Sequence, residues 1–229
     1  MINIDEINDI IDQGSDVVWS VADISYSSFK DNYKRAIVIA QHYDYPLPDE
    51  EYNEEKYHHV LAESKTVTDE KIHRIRQLAD RYGINNLVPS SSQLNETELK
   101  APFSFKYAAV QAGLGWIGKN GVLITRKFGP RVRLGAILLD YPFDGGIPVQ
   151  KSFCGTCNFC AEACPWKLIN GTHWSPSTKR DDLLDYRLCN KKRSEYLEIR
   201  GRKHECGHCI LVCPWGTKTG FRQNAFKKI

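Results

Sequence analysis

The sequence contains no apolar run of the about 20 residues that a membrane-spanning helix needs. Its N-terminus is acidic and lacks the basic start of a secretory signal peptide. The charges nearly cancel, with a net charge of +3, which gives no general electrostatic attraction to nucleic acid or membranes. These absences predict a cytoplasmic protein without membrane contact, in a compartment where thiols stay reduced.

All eight cysteines fall between residues 154 and 213. The first cysteine run is C-x2-C-x2-C-x3-C-P, a lone cysteine follows, and the second cysteine run also ends in Cys-Pro. This is the ligand spacing of two 4Fe-4S clusters, in which the cysteine before the proline crosses to the other cluster. One predicted ligand set is Cys154, Cys157, Cys160 and Cys213, and the other is Cys164, Cys189, Cys206 and Cys209.

Zinc and disulfides are the two alternatives for these cysteines. Zinc sites use C-x2-C pairs separated by a longer gap, which differs from a triple run followed by Cys-Pro. A disulfide framework belongs to secreted proteins, and the sequence shows no signal peptide. Iron–sulfur clusters are therefore the leading interpretation, with zinc and disulfides still open.

The remaining pattern predicts a mixed helix and strand protein. Apolar stretches at residues 16–22, 35–41, 122–125 and 131–139 favour strands, and residues 56–82 carry the apolar stripe of a helix. At 229 residues the chain is long enough for one substantial core with a smaller attached module. We predict a core domain over residues 1–150 and a cluster module over residues 151–229.

A glycine-rich block, residues 112–121, follows a predicted helix and precedes a strand. Its glycines leave backbone exposed to the close approach of a large flat group, and Lys119 and Asn120 would supply polar contacts there. The alternative is a tight turn that requires positive φ angles.

Three features resemble the epoxyqueuosine reductases and the related cobalamin-dependent reductive dehalogenases. They are the glycine-rich block spaced after Ala101-Pro102, the Tyr57-His58-His59 helix start, and the two cysteine runs that both end in Cys-Pro-Trp. The resemblance implies an α/β (α+β), nitroreductase-like corrinoid-binding core with a two-cluster ferredoxin-like module at its C-terminal end.

The same resemblance implies that cobalamin accepts electrons from the clusters, with a flavin in that pocket as the alternative. The implied corrinoid contacts are Gly118, Lys119, Asn120, Leu123 and Leu134. A redox partner protein, namely a ferredoxin, a flavodoxin or a corrinoid protein, would supply or receive electrons.

The chain departs from the family pattern in two places. Leu99 stands where members that reduce epoxyqueuosine carry an aspartate, which leaves Glu98 and His42 as weak candidates for a proton donor. The sequence also ends before the helical region with which longer members bind tRNA. Our first hypothesis is therefore a reductase of a small or unidentified substrate, our second is an electron-transfer protein, and tRNA epoxyqueuosine reduction ranks last.

Overall fold

The computed structural model describes residues 2–11, 16–45, 52–91 and 98–216. The strands are β1 Val17–Asp23, β2 Arg35–His42, β3 Asn86–Leu87, β4 Gly115–Ile117, β5 Leu123–Thr125 and β6 Val132–Leu139. The helices are α1 Ile4–Ile11, α2 Glu54–Arg81, α3 Phe105–Gln111, α4 Phe159–Ala163, α5 Arg180–Leu183, α6 Tyr186–Ser194, α7 Leu197–Arg200 and α8 His208–Leu211.

The chain forms two compact units, each built from separate segments. Unit 1 comprises the described residues within Met1–Tyr43, Glu63–Gly115 and Val132–Val149. Unit 2 comprises those within Asp44–Ala62, Trp116–Arg131 and Gln150–Ile229. The division into two domains at residue 150 is a different statement from this division into units, and it stays a prediction.

The main element of unit 1 is an antiparallel sheet with strand order β1-β2-β6-β3. The central strand β2 is buried from Ala36 to Gln41, which agrees with its unbroken apolar sequence. Ile37 pairs with Val21 on one side and with Ile137 on the other. The sheet is thus fixed by pairing between strands that lie about 100 residues apart in the sequence.

Helices α1 and α2 bury apolar side chains in the core of unit 1. In α1, Ile7, Ile10 and Ile11 are buried, so its isoleucine pattern forms one face. The apolar stripe of α2, including Ile72, Ile75 and Leu78, belongs to the same core cluster. The predicted helix at residues 56–82 is confirmed, with bounds shifted by two residues at most.

Helix α3 begins and ends at identifiable caps. Ser104 is the N-cap, and its hydroxyl accepts a hydrogen bond from the Tyr107 N–H at 3.3 Å. Gly113, with a φ of 77°, follows the helix in the left-handed conformation. Pro102 precedes the cap and lies outside the helix.

Unit 2 carries little regular structure. Its helices are short, apart from the nine-residue α6, and β5 pairs with β4. Helix α4 packs against α8, and each of these helices carries one of the cysteines. Within the described residues, no helix combines the length and the apolar composition that crossing a bilayer requires.

Candidate metal centre

All eight cysteines lie in unit 2, and each is a free thiol. Cys160 is in α4, Cys189 in α6 and Cys209 in α8, while the other five are in the connecting segments. Cys164 and Cys213, the two cysteines that precede prolines, are buried. The disulfide alternative has no support among these eight residues, since none of them is paired in the fold.

Cys213 lies near the first cysteine run although it is about 50 residues away in the sequence. Burial raises the pKa of its thiol to about 12, and the neighbouring Cys154 and Cys160 add to this increase. Burial likewise raises the pKa of Cys160 to about 11, with contributions from Cys154 and Cys157. These four thiols are close enough to interact electrostatically, so they form a first group.

A second group joins the remaining cysteines. Burial raises the pKa of Cys206 to about 11, with further increases from Cys189 and Cys164. Burial also raises the pKa of Cys189, and Cys164 again contributes to the increase. The pKa of Cys209 is raised by burial and by Cys206, Cys160, Cys189 and Cys164. Cys209 therefore has neighbours in both groups but more of them in the second.

No three histidine, cysteine, aspartate or glutamate side chains in the described part of the chain converge closely enough for a single metal ion. A zinc ion needs its sulfur ligands at about 2.3 Å from one point. A 4Fe-4S cluster is a larger body that accepts four cysteines spread around it. The preference for clusters over zinc therefore rests on the spacing of the cysteines in the sequence.

The end of the glycine-rich block binds both cysteine runs. The buried Lys119 ammonium donates to the Cys157 carbonyl and to the Asn158 side-chain oxygen, both at 2.9 Å. The buried Asn120 amide donates to the Cys209 carbonyl at 2.8 Å. Two consecutive side chains therefore fix one loop from each run, a role that the sequence did not reveal.

Arg131 fixes the end of the second cysteine run in the same way. It is 3% exposed, and its guanidinium donates to the carbonyls of Cys213 at 3.1 Å and Trp215 at 2.7 Å. The turn before Arg131 also packs against the backbone of Trp215. A Cβ at Gly129 would lie 1.9 Å from the Trp215 carbonyl oxygen.

A network around Glu54 fixes the start of the second cysteine run. The Glu54 carboxylate binds Arg200 and Arg202 and accepts the backbone N–H of Glu205 at 2.8 Å. The Tyr52 hydroxyl donates to the Glu205 carbonyl and accepts the Gly207 N–H at 3.2 Å. Residues 151 to 155 positions earlier in the chain thus shape the backbone on both sides of Cys206.

The indole of Trp116 provides a test of whether the thiol groups suit a cluster. Trp116 is fully buried, and its Nε1–H has no hydrogen-bond acceptor in the described structure. It packs edge-on against Phe153, next to Cys154, and against Trp215, two residues after Cys213. A buried donor without an acceptor costs about 1–3 kcal/mol. The sulfur of a bound cluster is an acceptor that could satisfy it, so the site fits this group.

The five predicted corrinoid contacts divide between the two units. Gly118, Lys119, Asn120 and the buried Leu123 are in unit 2, whereas Leu134 is half-buried in β6 of unit 1. The donors of Lys119 and Asn120 are engaged with the cysteine loops. A pocket of about 820 Å³ adjoins the first run, lined by Lys119, Gly155, Thr156, Asn158, Ala161, Glu162, Asn170, Gly171 and His173.

The two candidates for a proton donor, His42 and Glu98, lie in unit 1, and so does Leu99, which replaces the expected acid. His42 ends β2, and its backbone N–H donates to the Asp16 carbonyl at 2.7 Å. Glu98 is exposed and pairs with Lys100 at 3.4 Å. Leu99 is buried at a φ of 52°, a left-handed conformation that a leucine rarely adopts.

The comparisons with known proteins agree with this picture of unit 2. Residues 153–216 match the family described as 4Fe-4S double cluster binding domain. The epoxyqueuosine reductase of Pseudomonas aeruginosa is 31% identical over 153 residues, which cover 62% of this chain and 39% of that protein. The chain thus spans less than half the length of this curated relative.

Solved structures show the same fold at low sequence identity. An epoxyqueuosine reductase with a tRNA-Tyr epoxyqueuosine-modified tRNA stem loop gives a TM-score of 0.58 at 18% identity, covering 96% of this chain and 65% of that one. A reductive dehalogenase structure, reported as suggesting a mechanism for B12-dependent dehalogenation, gives a TM-score of 0.59 at 18% identity. The match covers 82% of this chain and 26% of that one.

These findings confirm the predicted resemblance to the epoxyqueuosine reductases and the α/β character of the chain. The iron–sulfur character of the cysteine region is likewise supported by the matching family. The names of the relatives conflict, however, with the sequence-based ranking that placed tRNA last among the partners. That ranking rested on Leu99 and on the missing helical region, two departures from the family pattern.

Proposed function

We propose that this chain, which resembles the epoxyqueuosine reductases, is an iron–sulfur oxidoreductase whose substrate is epoxyqueuosine in tRNA. Two 4Fe-4S clusters would supply low-potential electrons one at a time. Reduction of an epoxide requires two electrons and two protons, so two clusters suit the stoichiometry. The observation that carries the iron–sulfur part of the proposal is the gathering of eight free cysteines within one unit, where the two runs interact.

The interactions between the thiols support the ligand sets predicted from the sequence. Cys213 interacts with Cys154 and Cys160, and Cys206 interacts with Cys164 and Cys189. The crossing of the fourth cysteine to the other run is the ferredoxin arrangement. The groups support the assignment of each cysteine to its cluster, and a two-cluster module remains our proposal for residues 151–229.

Lys119, Asn120, Arg131 and Glu54 position the ligands. Each binds a backbone group within one residue of a proposed ligand cysteine or at the cysteine itself. Bonds of this type keep loops rigid, and a rigid site undergoes little rearrangement when an electron arrives. The chain therefore supplies a preformed site rather than one assembled entirely by the cofactor.

The choice of epoxyqueuosine in tRNA follows from the relatives rather than from a site in this chain. The names of the curated relatives and the tRNA-bound structure support it over an unidentified substrate. This order reverses the one predicted from the sequence. A redox partner protein remains part of the proposal as the source of electrons.

The only support for a bound corrinoid among these comparisons is the likeness to the B12-dependent dehalogenase structure. The corrinoid would bind in the predicted nitroreductase-like core. The described residues add no feature that fits a corrinoid, because Lys119 and Asn120 donate hydrogen bonds to the backbone carbonyls of Cys157 and Cys209. Cobalamin therefore remains a prediction, with a flavin as its alternative. Cobalt and flavin analysis of anaerobically purified protein distinguishes the two.

The decisive experiment uses anaerobically purified, reconstituted protein. We expect about eight iron and eight sulfide per chain, and conversion of an epoxyqueuosine-containing tRNA stem loop to its reduced form with dithionite as reductant, measured by mass spectrometry. Two zinc ions per chain, or no metal, would contradict the iron–sulfur assignment. Clusters without conversion, with cobalamin or flavin supplied, would contradict the substrate.

An electron-transfer protein is the second candidate, and the burial of Leu99 favours it. Leu99 is 6% exposed and cannot donate a proton, and the adjacent Glu98 is paired with Lys100 at the surface. A chain without a positioned acid could still pass electrons to a partner. Redox-dependent binding of a corrinoid or flavin protein, without conversion of any substrate, would support this function.

A further inference from the structure

The buried indole N–H of Trp116 has a place in the fold that the proposed function does not explain. It belongs to the glycine-rich block, whose neighbouring residues 119 and 120 bind the cysteine loops. Trp116 itself binds neither loop through a hydrogen bond, although it is fully buried. Retaining a tryptophan where a phenylalanine would avoid an unsatisfied donor needs a reason.

The neighbours of Trp116 indicate which group could accept this hydrogen bond. Phe153 packs against it at 5.2 Å between ring centroids, and Trp215 packs against it at 4.7 Å. These residues flank Cys154 and Cys213, the first and last ligands proposed for one cluster. Trp116 thus adjoins both ends of a single ligand set.

The backbone that carries Cys213 is held firmly against this position. Arg131 binds the carbonyls of Cys213 and Trp215, and Gly129 allows the Trp215 carbonyl to approach closely. The Trp215 ring that contacts Trp116 is therefore anchored at its own backbone.

We propose that the Trp116 indole N–H donates a hydrogen bond to a sulfur atom of the cluster bound by Cys154, Cys157, Cys160 and Cys213, and raises its reduction potential. A reduced cluster carries one more negative charge than an oxidised one, so its sulfurs accept a stronger hydrogen bond. Hydrogen bonds to the sulfurs are among the factors that set cluster potentials. Trp116 would therefore act on electron transfer through the cluster and would not contact a substrate. This inference rests on the proposed function, because it requires the clusters.

The step that Trp116 influences is a one-electron transfer. The cluster gains one electron from an external reductant such as dithionite, and the indole proton stays on its nitrogen. No bond forms or breaks in the protein. The donor therefore changes the equilibrium of reduction without taking part in the chemistry of any substrate.

The test is a redox titration followed by EPR. Trp116→Phe removes the donor and keeps an aromatic ring, and we expect about a tenfold less favourable reduction of one cluster, which is about 59 mV for one electron. The signal lost in Cys154→Ala identifies that cluster, and the other cluster should keep its potential. Trp174→Phe, at another buried tryptophan of unit 2, is the matched control.

A second measurement separates the hydrogen bond from packing. Replacing Trp116 with benzothienylalanine, in which sulfur takes the place of the N–H, preserves the ring size and should shift the potential as Trp116→Phe does. In deuterated buffer, the wild-type cluster should show an exchangeable deuteron coupled to its electron spin, and the analogue should lack it.

The outcomes separate this inference from the proposed function. An unchanged potential in the benzothienylalanine protein, with both clusters present, would overturn the role of Trp116 and leave the iron–sulfur assignment intact. Wild-type protein without 4Fe-4S clusters would overturn both. Equal shifts in Trp116→Phe and Trp174→Phe would also overturn it, because packing would then be the cause.

Discussion

A single carboxylate shows how strongly one residue contributes to unit 2. The Glu54 side chain is 8% exposed and binds two arginines and one backbone N–H. Its hydrogen bond with Arg202, followed by that with the Glu205 N–H and the charges of Arg202 and His204, lowers its pKa from 4.5 to about 2. Glu54 is thus ionised at every physiological pH, and the ion pair is always formed.

We expect Glu54→Gln to lower the free energy of unfolding by about 1–2 kcal/mol, a value reduced by solvent screening of the partly exposed Arg200. The carboxylate contributes fully above pH 4.5, and its contribution is lost as the pH falls towards 2. Urea unfolding between pH 7 and pH 3 should therefore show a constant difference from wild type that shrinks below about pH 4.5. Glu63→Gln, exposed on the same helix, is the control.

Leu99 stands where the resemblance to the epoxyqueuosine reductases predicts an aspartate. Its φ of 52° is more easily adopted by aspartate or asparagine than by leucine. We expect Leu99→Asp to increase the rate of epoxyqueuosine reduction on the order of a hundredfold, since it restores a positioned acid. Leu99→Asn has the same shape but cannot titrate, so it should give no gain. Equal rates for the two variants would refute an acid at this place.

At the scale of elements, the turn after β5 is fixed by contact as well as by conformation. Gly129 and Gly83 have nearly the same φ, +59° and +63°, but a Cβ at Gly83 would meet nothing within 4 Å. A Cβ at Gly129 would overlap the Trp215 carbonyl. The two glycines therefore separate the cost of conformation from the cost of packing.

We expect Gly83→Ala to lower stability by about 1–2 kcal/mol, the cost of a left-handed alanine. Gly129→Ala should lose about 3 kcal/mol or more, because overpacking is added. Urea midpoints measure both losses. We also expect Gly129→Ala to retain less iron, since Trp215 follows Cys213 closely. Similar losses in both variants would show that the turn yields easily.

The sheet of unit 1 depends on its central strands. Ile137 in β6 is fully buried and pairs with Ile37, whereas Ile147 is 88% exposed. We expect Ile137→Ala to lower the free energy of unfolding by about 2–5 kcal/mol. Ile147→Ala should change it by less than about 0.5 kcal/mol. Thermal unfolding by circular dichroism tests the pair, and a small effect at Ile137 would mean that the core collapses around the cavity.

At the scale of the whole molecule, unit 2 brings distant charges together. The sequence shows a basic stretch at residues 187–203, which could have indicated an RNA-binding surface. In the structure Arg200 and Arg202 pair with Glu54 and Glu55, and Arg193 pairs with Glu205. Much of this positive charge therefore stabilises unit 2 itself.

The crossing of ligands between the two cysteine runs can be tested in the intact protein. We expect Cys154→Ala and Cys213→Ala to remove the same EPR signal, because both residues are assigned to one cluster. Cys189→Ala and Cys206→Ala should remove the other. Each variant should bind about four iron atoms instead of eight. Loss of different signals in Cys154→Ala and Cys213→Ala would refute the crossed assignment.

Features that depend on neighbouring residues could be predicted from the sequence, whereas features that depend on contacts between distant segments could not. Strands β1, β2 and β6 and helix α2 follow from local apolar patterns, and the structure confirms them. Gly113 and Gly121 have positive φ, as the tight-turn alternative for the glycine-rich block requires, whereas Gly115 and Gly118 do not. The roles of Trp116, Arg131 and Glu54 were missed, because each acts on a segment that lies about 40 to 150 residues away.

The sequence by itself determined the chemistry of this protein, because soft thiol donors at fixed short spacing suit iron–sulfur clusters whatever surrounds them. Only the tertiary structure decided which side chains hold the cysteine loops, since those contacts arise when segments remote in the sequence pack together. Lys119 and Asn120 show the difference most clearly. Their sequence context suggested contacts with a cofactor, and the fold places their donors on the backbone of the cysteine runs.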